Sequence, residues 1–355
     1  MLEIEIKTEN HLKNFTSLGV FINDFLSGRI APSNARSTML EAAIRRSSLE
    51  NGFFTEENIR HALAAIAQML SPESLHTWIA AYQEDLNTAS AQKTIGVVMA
   101  GNIPMVGFHD FLCVMMSGNK MLGKLSSSDP YLLPVLAAKL IEIDAAYKNL
   151  IEFTSERLQH FDAVIATGSN NTARYFEYYF GKYPHIIRKN RNSIALLTGT
   201  ETMEQLTGLA QDIFRYYGLG CRNVSKLFVP PNYDFSRLIQ ACQSCAFVIH
   251  HHKYKNNYDY YKTIFIMNNQ PFIDAEFFMM QENPSMHNPI SIVNYEYYAE
   301  PSTLKNFIAA EADTLQCIVG TGFDIPNTYD FGTTQSPELW DYADNVDTMG
   351  FLLAF

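Results

Sequence analysis

Cys221 is the residue of this sequence with the clearest capacity for covalent chemistry. It ends the stretch GLGC (218 to 221), between a helix-type pattern and the strand-like run KLFV (226 to 229). The two glycines allow a sharp turn and leave room for a substrate, and Arg222 and Lys226 are close enough in sequence to favour the nucleophilic thiolate. A buried structural cysteine after a helix end is the alternative interpretation.

Asn102 is the candidate for stabilising an oxyanion. It lies in the turn GNIP (101 to 104), directly after the continuous apolar run TIGVVMA (94 to 100). Such a run is typical of a strand buried on both faces, and parallel sheets bind ligands beyond the carboxyl ends of their strands. An amide donor at this position would contribute about 3 to 4 kcal/mol to a transition state. An ordinary turn asparagine is the alternative.

A second strand-like run, DAVIAT (162 to 167), is followed by candidates for phosphate binding. Thr167, Gly168 and Ser169 would lie at the same carboxyl edge, and Ser169 begins a helical pattern whose N-terminus could hold a pyrophosphate. Ser169 would also serve as an N-cap, and the two roles are compatible. The glycine fingerprint G-x-G-x-x-G of ordinary dinucleotide-binding folds is missing from the sequence.

The remaining cysteines and histidines favour structural roles, and we expect no metal site. Cys242 and Cys245 have metal or redox spacing, but their segment reads as a helix that packs both side chains inward. His250 to His252 are predicted to end a strand, where neighbouring side chains point to opposite faces and cannot converge on one ion. The stretch from 254 to 261 is predicted to be an exposed loop.

Composition excludes several classes of function. The 355 residues are 47% hydrophobic and 18% charged, with 26 basic and 37 acidic residues and a net charge of -11. No basic cluster suited to nucleic acid occurs, and no uninterrupted apolar run is long enough to span a membrane. The N-terminus lacks the pattern of a signal peptide. Five cysteines, an odd number spread thinly, are typical of a reduced cytoplasmic protein.

The order of strand-like and helix-like segments predicts an α/β fold with two parallel-sheet domains. We expect an N-terminal helical layer (1 to 89), a cofactor-binding domain (90 to 187), a catalytic domain that carries the thiol (188 to 330) and a tail that docks (331 to 355). Predicted strands follow one another along the chain. They cover 94 to 100, 121 to 125, 150 to 153, 162 to 167, 192 to 197, 226 to 229, 246 to 250, 263 to 267 and 289 to 295.

Six motifs occur in the order of those of the aldehyde dehydrogenase superfamily. They are GNIP (101 to 104), GKLSSSDP (123 to 130), ATGS (166 to 169), RNSIALL (191 to 197), GLGCRNVSKLFVP (218 to 230) and HNPISIVNYE (287 to 296). From about residue 94 to its end the chain resembles, more closely, the fatty acyl-CoA reductases related to the reductase subunit of bacterial luminescence. The block around Cys221 is the most specific part of this resemblance.

The resemblance implies an aldehyde dehydrogenase-like fold and roles for individual residues. Cys221 would take the acyl group as a thioester, and Asn102 would form the oxyanion hole with the backbone N–H of Cys221. Lys124 would contact the adenosine ribose of a nicotinamide cofactor, and Ser169 would contact its pyrophosphate. Members of the superfamily bind this cofactor without the usual glycine fingerprint. The resemblance places further cofactor contacts at Ser126, Ser127, Thr167, Gly168 and Glu282.

Two departures from the superfamily pattern refine the expected reaction. Hydrolytic members carry a glutamate that activates water, and Ile187 in IIRKN (186 to 190) falls at that position. Without this base, water should attack the thioester slowly, which favours reduction over hydrolysis. Members that prefer NAD often have a glutamate three residues after the lysine matched by Lys124. The chain has Ser127 there, so we expect NADPH, with NADH as the alternative.

The sequence therefore predicts an enzyme that reduces an acyl thioester to the aldehyde. We expect the substrate to be an acyl-CoA, with a fatty acyl group, or another acyl thioester. One alternative is an acyltransferase or thioesterase that uses Cys221 without a nicotinamide cofactor. A second is a non-catalytic binding subunit. By analogy with the family we expect a homo-oligomer or a complex with an enzyme that supplies the acyl group.

Overall fold

The chain divides into two compact units in the computed structural model, which describes residues 2–31, 33–88 and 91–354. The first unit comprises Met1–Lys189 together with Pro337–Phe355, and the second comprises Asn190–Ser336. The chain thus leaves the first unit once, forms the second unit without interruption, and returns to the first.

Five helices precede the first strand. They are α1 (Leu2–Leu26), α2 (Ala35–Glu50), α3 (Glu56–Met69), α4 (Pro72–Ala80) and α5 (Gln83–Thr88). The Thr55 hydroxyl accepts a hydrogen bond from the backbone N–H of Asn58, so it caps α3. Ile59, Leu63 and Ile66 of α3 are buried on one face, which confirms the helical periodicity of this segment.

The first unit contains a five-stranded parallel sheet. Its strands are β1 (Thr94–Val98), β2 (Lys120–Lys124), β3 (Ile151–Thr154), β4 (Ala163–Thr167) and β5 (His185–Arg188), in the order β3-β2-β1-β4-β5. Three helices connect them: α6 (Phe108–Met116), α7 (Leu132–Ile143) and α8 (Asn170–Phe180). The strand order changes direction between β1 and β4, where open α/β sheets bind their ligands.

The second unit contains a six-stranded sheet. Its strands are β6 (Asn192–Leu196), β7 (Val224–Val229), β8 (Ile273–Asp274), β9 (Met279–Glu282), β10 (Ile292–Tyr297) and β11 (Leu315–Val319), in the order β11-β6-β7-β10-β9-β8. Only β8 pairs antiparallel, with β9. The helices are α9 (Met203–Phe214), α10 (Phe235–Cys242), α11 (His252–Met267) and α12 (Pro301–Ala310). A capping box between Thr202 and Gln205 begins α9.

The end of the chain packs within the first unit, where α13 (Thr348–Leu353) is the last helix. Tyr342 accepts a hydrogen bond from the buried indole N–H of Trp78 at 2.7 Å, and its hydroxyl lies 2.8 Å from that of Tyr82. The Tyr82 hydroxyl also donates to Asp347 Oδ1 at 2.9 Å, so several hydrogen bonds join the N-terminal helices to the returning tail. Phe355 lies outside the described residues.

Two predicted strands and a predicted loop are wrong. Residues 246 to 250 form part of a 3-10 helix (Gln243–His250), and residues 263 to 267 belong to α11. The stretch from 254 to 261 is also helical, because Tyr254, Tyr258 and Phe265 recur at helical spacing and pack inward. His251 is consequently the N-cap of α11, not the end of a strand.

Within the described residues, no helix combines the length and the apolar character needed to cross a bilayer. In the same part of the chain, no three His, Cys, Asp or Glu side chains are grouped so that they could hold a metal ion. Cys242 and Cys245 are both buried, as expected from their helical spacing.

Candidate active site

Accessibility distinguishes Cys221 from the other cysteines. All five lie within the described residues and carry free thiols, and Cys221 alone is not buried. Burial raises the pKa of the Cys113 and Cys242 thiols, which opposes formation of their thiolates. A substrate can therefore reach the thiol of Cys221 more readily than any other in the chain.

The turn before Cys221 has an unusual backbone. Helix α9 ends at Phe214, four residues before Gly218, where we expected the helix to stop. A 3-10 turn follows, in which Tyr216 (φ 54°, ψ 27°) and Tyr217 (φ 58°, ψ 25°) are left-handed, and Gly218 also has a positive φ of 74°. Left-handed backbone costs about 1–2 kcal/mol for a residue with a Cβ atom, so surrounding contacts must hold this turn.

Aromatic packing contributes to holding it. The Tyr217 ring centroid lies 4.7 Å from that of His251 and 6.0 Å from that of Tyr254. Both Tyr216 and Tyr217 are buried. Because His251 caps α11, the turn before the thiol packs directly on the beginning of that helix.

Ser193, on β6, holds the backbone of Cys221. Its hydroxyl donates to the Cys221 carbonyl at 2.9 Å and accepts from the Cys317 N–H at 3.1 Å. One serine thus joins the thiol turn to β11 across the sheet. No local sequence pattern marks Ser193 for this role, because its partners lie 28 and 124 residues away.

Arg222 is the positive charge that interacts with the thiol. Its Nη1 donates to Cys317 Sγ at 3.4 Å, and its guanidinium carbon lies 5.7 Å from the Tyr329 ring centroid. Burial lowers the pKa of Arg222, but electrostatic attraction to Cys317, Tyr329 and Cys221 outweighs it and leaves the pKa above its ordinary value. Arg222 thus places a positive charge next in sequence to Cys221, and a cationic neighbour is one of the features that reactive cysteines share.

Lys226 has a different role from the one expected of it. Its buried ammonium pairs with Glu296 at 2.7 Å and donates to the Pro284 carbonyl at 2.7 Å. It also faces the rings of Phe228 and Phe307. Lys226 therefore holds the loop between β9 and β10 through the Pro284 carbonyl, and its positive charge is paired with Glu296.

The turn that carries Asn102 is fitted closely to the loop after β2. A Cβ atom on Gly101 would come within 2.7 Å of the Ser126 Cβ, so this approach requires glycine. The Met105 N–H donates to Asp129 Oδ2 at 2.7 Å. Asn102 itself is exposed between these two anchors, at the carboxyl end of β1.

Lys124, Ser126 and Ser127 follow one another from the end of β2 into that same loop. Lys124 is the last residue of β2 and is half-buried, while Ser127 is exposed. The Ser126 hydroxyl accepts from the Ser128 N–H at 3.2 Å. These three residues lie on one side of the point where the strand order changes direction.

Thr167, Gly168 and Ser169 follow β4, on the other side of that point. The Ser169 hydroxyl accepts from the Thr172 N–H at 3.3 Å and lies 2.9 Å from the Thr172 hydroxyl, so it caps α8 as expected. The structure thus brings the predicted residues after β1, β2 and β4 to one sheet edge. The cap takes up the Thr172 N–H, while the positive end of the dipole of α8 still favours an anion such as a pyrophosphate at this N-terminus.

Ile187, which the resemblance places at about the position of the hydrolytic glutamate, lies on β5 and packs against the apolar cluster of Leu158, Val164 and Ala166. Its neighbour Arg188 is buried, pairs with Asp110 at 2.6 Å and donates to the Thr348 hydroxyl at 2.7 Å. This segment therefore serves packing and tail attachment, and Ile187 offers no base.

Glu282 lies in the second unit and ends β9, where it is exposed and in register with Tyr295 of β10. The candidate cofactor residues of the first sheet belong to the first unit, so Glu282 is distant from them in sequence and belongs to a different unit. Its assignment continues to depend on the resemblance alone.

Two long-chain acyl-protein thioester reductases are similar to part of this chain. The protein from Photorhabdus laumondii is 22% identical over 150 residues, which is 38% of this chain and 31% of the relative. The protein from Aliivibrio fischeri is 23% identical over 146 residues, 37% of this chain and 30% of the relative. The match thus spans about a third of the length of these relatives.

Solved aldehyde dehydrogenases share the fold. An indole-3-acetaldehyde dehydrogenase in complex with NAD+ aligns over 90% of this chain and 82% of its own, with a TM-score of 0.57 and 12% identity. Aldehyde dehydrogenase C from Pseudomonas syringae, in complex with NAD+ and octanal, aligns over 90% and 73%, with a TM-score of 0.61 and 12% identity. The expected aldehyde dehydrogenase-like fold is confirmed.

The family model described as acyl-CoA reductase (LuxC) matches residues 33–235, more than half of the chain. The match begins well before the GNIP turn, so the family region also includes helices that the motif comparison left aside. It contains the turn of Asn102, the loop of Lys124, the cap at Ser169 and the thiol at Cys221. This chain belongs to the acyl-CoA reductase (LuxC) family.

Proposed function

We propose that this chain reduces an acyl thioester to the aldehyde through a thioester intermediate on Cys221. The observation that carries the proposal is the thiol turn: the one cysteine that is not buried lies beside a guanidinium, in a turn with a constrained backbone. Family membership supports the same reaction class. The names of the curated relatives support acyl thioesters in general, so the proposed donors include an acyl protein as well as acyl-CoA.

The proposed chemistry begins at the Cys221 sulfur. The thiolate attacks the acyl carbonyl, the bond between that carbon and the donor sulfur breaks, and the donor leaves as a thiolate that takes up a proton from solvent. The resemblance assigns Asn102 and the Cys221 N–H to the negatively charged carbonyl oxygen, and such donors are most valuable where charge develops. Cys221 leaves again as a thiolate when the aldehyde is released. One acyl thioester, one reduced cofactor and one proton give one aldehyde, one thiol and one oxidised cofactor.

Residues at the first sheet edge fit a nicotinamide cofactor, which would supply the hydride when bound. Lys124, Ser126 and Ser127 would contact the ribose side, and Thr167 to Ser169 the pyrophosphate. The close fit of Gly101 against Ser126 and the capped N-terminus of α8 support this assignment. The neutral Ser127 favours NADPH, because it brings no negative charge near a 2'-phosphate. Glu282 stays a proposed contact of the nicotinamide ribose.

The absence of a base at Ile187 supports reduction over hydrolysis. An apolar side chain that packs against Leu158 and Val164 cannot activate water. We therefore expect the acyl group on Cys221 to persist without reductant, and to exchange with added thiol or to be reduced.

The test combines intact-mass measurement with cofactor absorbance. Purified protein given a fatty acyl-CoA should gain the acyl mass on Cys221, and NADPH should then be consumed in an acyl-dependent reaction. Cys221→Ala should lose both signals. Cys242→Ala, a change at a buried cysteine, should keep both.

The other possible outcomes identify the alternatives. Acyl transfer or hydrolysis without cofactor consumption would indicate a transferase or thioesterase. Binding of acyl-CoA with no acyl-enzyme would indicate a non-catalytic subunit. A parallel assay with an acylated carrier protein would distinguish the two classes of donor, and light scattering would test the proposed homo-oligomer.

A further inference from the structure

The side chain of Asn223 is buried two residues after the thiol, and it is 3% exposed. Its Nδ2 lies 2.9 Å from the Asp212 carbonyl, 2.9 Å from the Arg215 carbonyl and 3.3 Å from the Ile213 carbonyl. An amide has two hydrogens, so one of them is shared. The last carbonyls of a helix have no hydrogen-bond donor within the helix, and the Asn223 amide is the donor for those at the end of α9.

The other end of the same amide binds the thiol turn. Asn223 Oδ1 accepts from the Gly220 N–H at 2.8 Å, and the Asn223 backbone N–H donates to the Gly220 carbonyl at 3.0 Å. One residue therefore joins the end of α9 to the residue before Cys221. The Asn223 side chain thus bridges the left-handed turn of Tyr216, Tyr217 and Gly218, because it is bonded to Arg215 before the turn and to Gly220 after it.

These bonds have a direct consequence for the Cys221 N–H. The Gly220 carbonyl and the Cys221 N–H belong to one planar trans peptide, so they point in opposite directions. With the Gly220 carbonyl bound to Asn223, the direction of the Cys221 N–H is fixed. The next peptide is fixed as well, because the Cys221 carbonyl accepts from Ser193.

We propose that Asn223 is a positioning residue for the nucleophile: its carboxamide closes the left-handed turn and orients the peptide that carries the Cys221 N–H and thiol. This proposal rests on the proposed function of Cys221, but it concerns a residue to which no role was assigned. In this role Asn223 acts through its hydrogen bonds to the backbone of the turn and of α9. Only an amide offers donors to the carbonyls of α9 and an acceptor to Gly220 at once.

Asn223→Asp is the sharpest variant. It keeps the size of the side chain and the acceptor for Gly220, but it removes both donors and places a carboxylate against the carbonyls of Asp212 and Arg215. We expect kcat to fall about 10- to 100-fold, because small displacements of a reacting group cost that much. The KM for the acyl thioester should change less than about threefold, since Asn223 does not contact substrate.

Thiol chemistry gives a readout that a purely structural role would not move. Alkylation of Cys221 by iodoacetamide should be slower at neutral pH in Asn223→Asp and also in the uncharged Asn223→Ser, because a turn that is no longer closed does not hold the thiol in one orientation. A slowing confined to Asn223→Asp would be an effect of its new negative charge and would overturn the positioning role. The matched control is Asn119→Asp. Asn119 is buried in the first unit and also bonds backbone groups through its amide, at Lys93 and Leu352.

The control should lower Tm without changing the alkylation rate or the ratio of kcat to KM. The proposal is overturned if folded Asn223→Asp alkylates and turns over like the wild type, or if Asn119→Asp slows alkylation equally. If Asn223→Asp fails to fold, the same kinetic and alkylation measurements on Asn223→Ser test the proposal. If neither variant folds, the role of Asn223 is structural only and the proposal is overturned. A wild type that alkylates at Cys221 but reduces no acyl thioester would refute the proposed function and leave the alkylation test of Asn223 intact.

Discussion

Arg222 shows how one residue can serve two cysteines of different accessibility. Its guanidinium donates to the buried Cys317 and is attracted electrostatically to Cys221. A guanidinium stays charged throughout the physiological pH range, so its effect on the thiol does not depend on its own titration. Lys226, four residues further on, cannot replace it because its charge is paired with Glu296.

Replacing Arg222 by Gln should slow the reaction of the thiol. A cationic neighbour commonly shifts an acidic group by about one pKa unit or more, so we expect iodoacetamide to alkylate Cys221 about 3- to 10-fold more slowly at neutral pH. Arg237→Gln is the control, since Arg237 bonds the Glu201 carbonyl and the change in net charge is equal. Equal slowing in both variants would contradict a local role for Arg222.

Under the proposed function, the loop after β2 is the part of the first sheet that would distinguish NADPH from NADH. It contains the half-buried Lys124 and Ser126 and the exposed Ser127, and Gly101 packs closely against it. In dinucleotide-binding folds an acidic residue binds the ribose 2'-hydroxyl and excludes a 2'-phosphate. The loop has no acidic residue between 124 and 128, and Asp129 is buried beneath it.

Ser127→Glu should therefore reverse the cofactor preference. Repulsion of the 2'-phosphate should lower kcat/KM for NADPH about tenfold or more, while kcat/KM for NADH stays level or rises. Steady-state kinetics with both cofactors measures this ratio. Ser33→Glu, on an exposed serine between α1 and α2, is the charge control and should leave the ratio unchanged. An unchanged ratio in Ser127→Glu would place the ribose elsewhere.

Each of the two units contains a buried carboxylate whose pKa is raised to about 6. Burial is the main cause for Asp129 in the first unit and for Asp212 in the second, although backbone N–H groups partly oppose it. Asp129 anchors the turn of Asn102 through the Met105 N–H, and Asp212 holds Gly332 and Thr334 against α9. Ionisation of these groups therefore acts on the stability of both units.

Stability should decline as the pH rises through the range in which the folded state retains these protons. With an unfolded pKa near 4 and a folded pKa of about 6, each group contributes most below about pH 4, and about 3 kcal/mol is lost by the time the pH exceeds about 6. Asp129→Asn removes one titration. The variant should gain free energy of unfolding relative to wild type as the pH rises from about 4 to about 7.

Urea unfolding at several pH values measures this difference, and exposed Asp313→Asn is the control. A difference between Asp129→Asn and wild type that does not vary with pH would show that Asp129 is ionised throughout and that its burial has little effect on its titration.

Much of the fold could be predicted because it is encoded locally. Strands buried on both faces leave continuous apolar runs, and β1, β4 and β6 lie where such runs predict them. The turn residues and caps at Thr55, Ser169 and Gly101 are likewise visible in sequence. The prediction of strands at 246 to 250 and 263 to 267 is wrong because these stretches are rich in β-prone residues, and the prediction of a loop at 254 to 261 is wrong as well. The helical spacing of 254 to 267 becomes clear only from the buried face of α11.

The sequence by itself predicted the kind of chemistry from a glycine-bounded thiol, from motifs in a recognisable order, and from an apolar residue about where related enzymes have a hydrolytic base. It determined the aldehyde dehydrogenase-like fold and the family. The tertiary structure decided which residues hold that thiol. Ser193, Asn223 and Cys317 meet at the Cys221 turn because parallel strands and the end of α9 converge there. Their separations in sequence reach 124 residues, and no local pattern records a hydrogen bond between side chains and backbone so far apart.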